Sequence, residues 1–267
     1  MQKTIKRTIK RLFPYVVPFV RDTRGFIRAN LCRINIYRKP KFTCPICNYS
    51  GPFVDYCNNN QIISHTKCPR CELYERHRLQ HLVIKQIGKK RDLSKMAILH
   101  FAPELAFERL FNKLFAKHYT ADIIGEGVDY QVDICSMPFE NESFDVIFAS
   151  HVLEHVIDDD TALSEVMRVL KPNGIAILPV PVVSPVTIEY NSPNQYEFGH
   201  VRAIGIDYFE KYKKLFSKVE IWNSADFEEK YQLYTYEMRN LYPTITSPLR
   251  QPMDGVKHLD YVPVCFK

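Results

Sequence analysis

Residues 132–183 read VDICSMPFENESFDVIFASHVLEHVIDDDTALSEVMRVLKPNGIAILPVPV, and the order of elements inside this run decides the architecture. FDVIFAS (144–150) is a short, almost wholly apolar run of strand length, and GIAILPV (174–180) is another. Between them, residues 158–170 fit a helix. Apolar strands separated by a helix imply parallel pairing in a sheet covered on both faces.

The pattern extends in both directions. MAILHF (96–101) and HYTADI (118–123) are further strands, with helices at about 104–116 and 207–216. KVEIW (218–222) and DYVPVCF (260–266) close the chain as two last strands. Upstream, ELYERHRLQHLVIKQI repeats its apolar residues Leu73, Leu79, Leu82, Val83 and Ile87 with a helical period that ends at Gly88 and a KKR turn. The reading is an α/β domain over 91–267, a cysteine-bearing module over 44–90 and a basic leader over 1–43.

Charge divides the chain in the same place. Residues 1–95 hold 21 Lys/Arg against 5 Asp/Glu, a net +16, which leaves −10 on residues 96–267 of a chain whose total is +6. A basic leader on an acidic body fits an anionic partner such as a nucleic acid, a phospholipid or a nucleotide-linked substrate, and equally a solvated face. In the leader, Ile5, Ile9, Leu12, Phe13 and Val16 lie at helical spacing opposite Lys3, Lys6, Arg7, Lys10 and Arg11. Residues 1–20 could thus form a helix on a membrane surface, although such stretches more often pack on their own protein. No run reaches the roughly 20 apolar residues of a membrane span, and no small-residue cleavage site follows the leader. The expected compartment is the cytoplasm.

Cys44-Pro-Ile-Cys47 and Cys68-Pro-Arg-Cys71 are two C-x2-C pairs separated by twenty residues. Four thiolates at this spacing close a tetrahedron around Zn2+, in a segment too turn-rich to build a core of its own. With all four positions taken, such a zinc is structural. Rubredoxin-like iron is the lesser alternative. Cys32, Cys57, Cys135 and Cys265 fall outside the spacing.

Each strand of the body ends in polar groups: His100 to Glu104 after the first, Asp122 after the second, Asp133 in the following loop, and Ser150-His151 after FDVIFA. Open parallel sheets bind ligands on that edge, a carboxylate ending the second strand suits ribose hydroxyls, and Asp133 suits an exocyclic adenine amine. The ordered set fits a nucleoside-containing cofactor. ILHFAPE (98–104) departs from the usual glycine-rich loop, since no glycine lies between Gly88 and Gly125.

Taken together, the run 132–183, CPRCELYERHR (68–78), HFAPE (100–104) and FGHVRAIGIDY (198–208) resemble class I S-adenosylmethionine-dependent methyltransferases. They are similar to a bacterial group of these with a cysteine-pair leader. The resemblance runs from about Cys44 to the last strand. It implies a Rossmann-like seven-stranded methyltransferase sheet with a reversed terminal strand, DYVPVCF, and a small N-terminal zinc-ribbon module. It also implies S-adenosylmethionine bound by His100, Phe101, Ala102, Pro103, Glu104, Asp122, Asp133, Ile134 and Ser150. Glu104 would repel a pyrophosphate but suits a cationic sulfonium amino acid. Pro-Asn-Gly (172–174) replaces the commoner Pro-Gly-Gly harmlessly, because asparagine tolerates left-handed turns.

Methyl transfer to oxygen or nitrogen can require a base, for which histidine is well suited. His151 is the first candidate, then His155 and His200; a structural role for His155 and Glu154, holding the loop, is the competing reading. Arg76, His77 and Arg78 either dock the cysteine module or contact an acidic substrate; docking is the expected role, because ion pairs would suit the acidic body. The leading function is methylation, at oxygen, of a small-molecule or glycan-linked acceptor. Alternatives are an RNA methyltransferase using the module and leader, for which Tyr37, Arg38, Lys39, Lys41 and Phe42 offer a modest footprint, and a non-catalytic S-adenosylmethionine-binding protein.

Overall fold

A computed structural model of the chain describes residues 26–30, 40–58 and 61–267. The amphipathic pattern of residues 1–20, and Tyr37, Arg38 and Lys39 of the RNA-binding footprint, lie outside the described residues. In chain order the strands are β1 (Phe42–Thr43), β2 (Ser50–Gly51), β3 (Val54–Asn58), β4 (Gln61–Lys67), β5 (Ala97–Phe101), β6 (Lys117–Asp122), β7 (Tyr130–Gln131) and β8 (Phe144–Ala149). They continue with β9 (Leu170–Ile177), β10 (Ile188–Asn194), β11 (His200–Ala203), β12 (Lys218–Asn223), β13 (Thr235–Tyr236), β14 (Lys257–His258) and β15 (Tyr261–Phe266). The longer helices are α1 (Glu75–Lys90), α2 (Leu105–Leu114), α3 (Asp159–Val169) and α4 (Phe209–Leu215).

The chain forms two compact units. The second contains residues 83–223, 238–255 and 260–267 and is built on one seven-stranded sheet in the order β12-β15-β9-β8-β5-β6-β7. Every neighbouring pair is parallel except those made by β15, which runs antiparallel to both β12 and β9. The reversed terminal strand is therefore where the sequence places it. The core is continuous through Leu99, Ile147, Leu163, Val166, Ala176 and Leu178.

Local chemistry explains the central crossover. Asp158 caps α3 by accepting hydrogen bonds from the Thr161 amide (3.0 Å) and hydroxyl (2.7 Å), and Asp159 and Asp160 suit the positive end of the helix. The helix buries Ala162, Leu163, Val166 and Val169 on one face. It hands over directly to β9, which begins at Leu170 rather than at Gly174. Pro-Asn-Gly sits inside the strand as a register shift, with Asn173 left-handed at φ 62°. α1 also outruns its sequence signal: it passes Gly88 and ends at Lys90, where Lys89 and Lys90 suit the negative end of the helix.

The first unit takes in the described residues up to Leu82 together with residues 224–237 and 256–259. It contains the hairpin β3–β4, the short pair β1–β2, and β13–β14. Its core is Ala29, Cys44, Tyr49, Phe53 and Cys68. The two cysteine turns are built alike. The Cys44 amide donates to the Tyr49 carbonyl (2.8 Å) and the Cys68 amide to that of Leu73 (3.0 Å), with Asn48 and Glu72 left-handed at φ 58° and 63°.

Arg78 holds this unit together. Fully buried, it donates to the carbonyls of Thr66, Leu73, Tyr231 and Gln232 at 2.6–3.1 Å, and its guanidinium lies 4.5 Å from the Phe53 ring centre. The sequence reading expected carboxylate partners for this arginine. The structure gives it carbonyls instead, which satisfy its planar fork of donors without burying a second charge.

Candidate functional site

Because β5, β6, β7 and β8 are parallel, their carboxyl ends share one edge of the sheet, and the polar residues singled out in the sequence follow those ends. After β5 the chain turns at Ala102, whose φ of +44° is left-handed and whose amide donates to the Ala121 carbonyl at 2.9 Å. Alanine here does what the missing glycine would do, at a strain of about 1–2 kcal/mol. Ala102 is exposed, and Pro103 and Glu104 are half-buried. Glu104 is the N-cap of α2 but makes no side-chain capping hydrogen bond.

His100 and Phe101 differ from the rest of that loop. The His100 ring is completely buried between Phe111 and Phe148, with Nδ1 3.3 Å from His118 Nε2, and Phe101 is a core residue. At the loop, these two residues offer a ligand their backbone.

Asp122 ends β6 and accepts the Ile124 amide at 2.9 Å, which folds the chain back towards β7. Asp133 is exposed and accepts the Cys135 amide at 2.9 Å, while Ile134 beside it is buried. Ser150 is buried at the end of β8.

The next turn carries HVLEH. His151 is left-handed at φ 54°, its amide donating to the Pro179 carbonyl at 2.9 Å, and Leu153–His155 form a single 3-10 turn. This backbone directs the buried Glu154 side chain back to His151, whose Nδ1 stands 3.2 Å from Glu154 Oε1. Burial works to raise the Glu154 carboxyl, but the His151 contact and the positive potential of His151 and His200 outweigh it and hold the group below its ordinary value.

The second distant motif reaches the same place. Phe198 and Gly199 are left-handed at φ 59° and 85° and start β11, on which His200 and Arg202 share a face. Arg202 donates to the carbonyls of Leu153 (2.7 Å), Val156 (2.6 Å) and Ile157 (3.1 Å) and forks onto both Glu189 oxygens (2.9 and 3.0 Å). It thereby fastens the HVLEH turn to β11. His200 meets His155 edge-to-face, ring centres 4.8 Å apart. Burial pushes the His200 imidazole down to about 4, against the opposing pull of Glu154, so it is neutral around pH 7.

His151, His155 and His200 are thus brought together around Glu154. Sequence reasoning had put Glu154 only in a loop-holding role and gave Arg202 no role. The signal available for Arg202 was its two-residue spacing from His200 in a strand.

The four cysteines also converge. Cys44 and Cys71 Sγ are 3.7 Å apart and Cys47 and Cys68 Sγ 3.6 Å apart, none of them in a disulfide. A tetrahedron of thiolates at 2.3 Å from zinc has edges of about 3.8 Å, so the donor set fits that ion.

Strand order and site edge together define a class, and a family match agrees with it. Residues 106–178 match the family model described as "Methyltransferase domain", and the second unit has the class I methyltransferase fold, an enzyme fold. The chain is 41% identical over 51 residues to a ubiquinone/menaquinone biosynthesis C-methyltransferase, UbiE, of Desulfotalea psychrophila, covering 19% of this chain and 21% of that one. It is 44% identical over 46 residues to a demethylmenaquinone methyltransferase of Streptomyces avermitilis, covering 17% and 20%. The chain thus spans about a fifth of the length of these curated relatives. Among solved structures, an S-adenosylmethionine-dependent methyltransferase from Mesorhizobium loti is similar at 12% identity, covering 69% of this chain and 96% of that one with a TM-score of 0.44.

Proposed function

We propose that the protein is an S-adenosylmethionine-dependent methyltransferase acting at oxygen on a small-molecule or glycan-linked acceptor. The observation that carries this reading is the convergence of His151, Glu154, His155 and His200 on the sheet edge that also bears the Ala102 turn, Asp122 and Asp133. S-adenosylmethionine, when bound, supplies a methyl group activated by its sulfonium for in-line displacement. The residues present suit it: Asp122 for the ribose, Asp133 and the apolar Ile134 for the adenine, the Ala102–Glu104 loop for the cationic amino acid part, and Ser150 beside them.

His151 is the candidate base. It takes the proton from the acceptor hydroxyl as the new carbon–oxygen bond forms, while Glu154 at Nδ1 orients the ring. His155 and His200 then bind and orient the acceptor. Zn2+ on Cys44, Cys47, Cys68 and Cys71 is structural in this reading, and the compartment is the cytoplasm, where such thiolates stay reduced. The RNA alternative draws its support from the basic leader. A salt-dependent affinity for RNA is what it requires.

Calorimetry with S-adenosylhomocysteine tests the reading. One molecule should bind per chain, and Asp122→Ala should weaken binding by roughly 10-fold or more through the loss of hydrogen bonds to a charged acceptor. Absence of both heat and thermal shift in the intact protein would sink the proposal.

A further inference from the structure

Glu154 is a buried carboxylate whose compensation comes chiefly from the neighbouring His151 imidazole. It is 1% exposed, with both carboxylate oxygens shut away from solvent. Among the described residues its one ion-pair partner is His151, at 3.2 Å. Arg202, close by, is committed to Glu189, to Asp159 at 3.5 Å and to three carbonyls. Burying an anion this way is costly unless a cation lies beside it.

The side chains next to Glu154 are suited to hold one. One donor atom each from Glu154, His155 and His200 lies within 4.8 Å of the others, the same convergence that the four cysteines show. The geometry points to a divalent-cation site formed by a Glu154 carboxylate oxygen and one imidazole nitrogen each from His155 and His200, with open positions that take oxygen atoms of the acceptor.

One carboxylate and two imidazoles suit first-row divalent ions, and a site with three protein ligands leaves coordination positions for water or substrate. Around an ion at 2.0–2.2 Å the donors must draw in to about 3–3.4 Å. The exposed His155 side chain supplies that movement, while Arg202 fixes the turn bearing Glu154 to the strand bearing His200. His151 then supports the ligating carboxylate from outside through its Nδ1 contact. The cluster follows directly on β8, so an ion there would hold an acceptor hydroxyl at the reacting end of the sheet and ease the loss of its proton. Acceptors with two neighbouring oxygens, able to chelate, are the class such a site selects. This role of the ion rests on the methyl-transfer reading; the existence of the site does not.

Mn2+ is the probe, because it favours carboxylate over the thiolates of the cysteine group. Binding to the full-length protein, carrying only the one equivalent of zinc that the four cysteines take up, is followed by electron paramagnetic resonance of free Mn2+. The wild type should bind one Mn2+, and both His155→Ala and Glu154→Gln should weaken that binding by roughly 10-fold or more. His155 is exposed, so His155→Ala gives a folded protein even if Glu154→Gln does not. No Mn2+ bound by the wild type, or an unchanged affinity in His155→Ala, would overturn the site. Calorimetry with S-adenosylhomocysteine on the same samples separates loss of the ion from failure of the methyltransferase reading.

Discussion

Ala102 and His151 are the two left-handed residues at the sheet edge where the sequence shows no glycine, at φ +44° and +54°. Such conformations cost about 1–3 kcal/mol and persist where surrounding structure imposes them. In both cases an amide hydrogen bond, to the carbonyl of Ala121 in β6 or of Pro179 just past β9, does the imposing. The strain was not legible in ILHFAPE, because alanine carries no preference for that turn. His100, by contrast, was legible as a strand residue but not as a core one. Burial, with smaller help from His118, pushes its imidazole from 6.5 down to about 3, against the opposing pull of Glu104. The unfolded chain therefore takes up a proton first as pH falls. The stability linked to His100 is complete above pH 6.5 and is lost as the pH falls from there towards 3, at about 1.4 kcal/mol per pH unit. Urea unfolding between pH 7 and 4 should show this fall in the wild type and a shallower one in His100→Leu. Equal slopes would mean that the buried ring does not resist protonation.

Among the elements, β11 and the Leu153–His155 turn are the pair that organises the candidate site. The six sheet strands named in the sequence all appear with ends shifted by a few residues, because long apolar runs declare themselves. The hairpins β3–β4 and β10–β11 were not read as such: β10 is largely exposed and polar and contains Pro193, and β3 and β4 lack the continuous apolar runs of the sheet strands. HVLEH and HVR could be recognised separately, yet nothing in either showed that they meet. Their link is Arg202, 2% exposed, whose main partners are backbone carbonyls with no side-chain signature. Replacing it with lysine removes the fork and leaves the turn's carbonyls unsatisfied. Arg202→Lys should cost about 3 kcal/mol or more in chemical denaturation, the usual range for breaking a buried charged network. A loss below about 1 kcal/mol, typical of a surface pair, would show the clamp to be incidental.

The division of the chain into units follows the same logic. CPxC pairs mark the cysteine group plainly, and the acidic body marks the sheet. The assignment of residues 224–237 and 256–259 to the first unit was hidden, since Arg78 reaches Tyr231 and Gln232 through their carbonyls. A metal holding Cys44, Cys47, Cys68 and Cys71 would stabilise that unit directly. Protein purified without added zinc should carry about one equivalent, and a chelator strong enough to remove it should lower the unfolding temperature. No zinc on analysis would refute this assignment. In the second unit, the parallel strands bring the loop 100–104, Asp122 and the HVLEH turn to one edge, and β11 adds His200 from a separate hairpin. A crystal structure with S-adenosylhomocysteine bound is the decisive measurement. The ribose should lie at Asp122, the adenine by Asp133 and Ile134, and the sulfur should face His151 and the Glu154 cluster. A sulfur directed away from those histidines, or a ligand bound elsewhere on the protein, would contradict it.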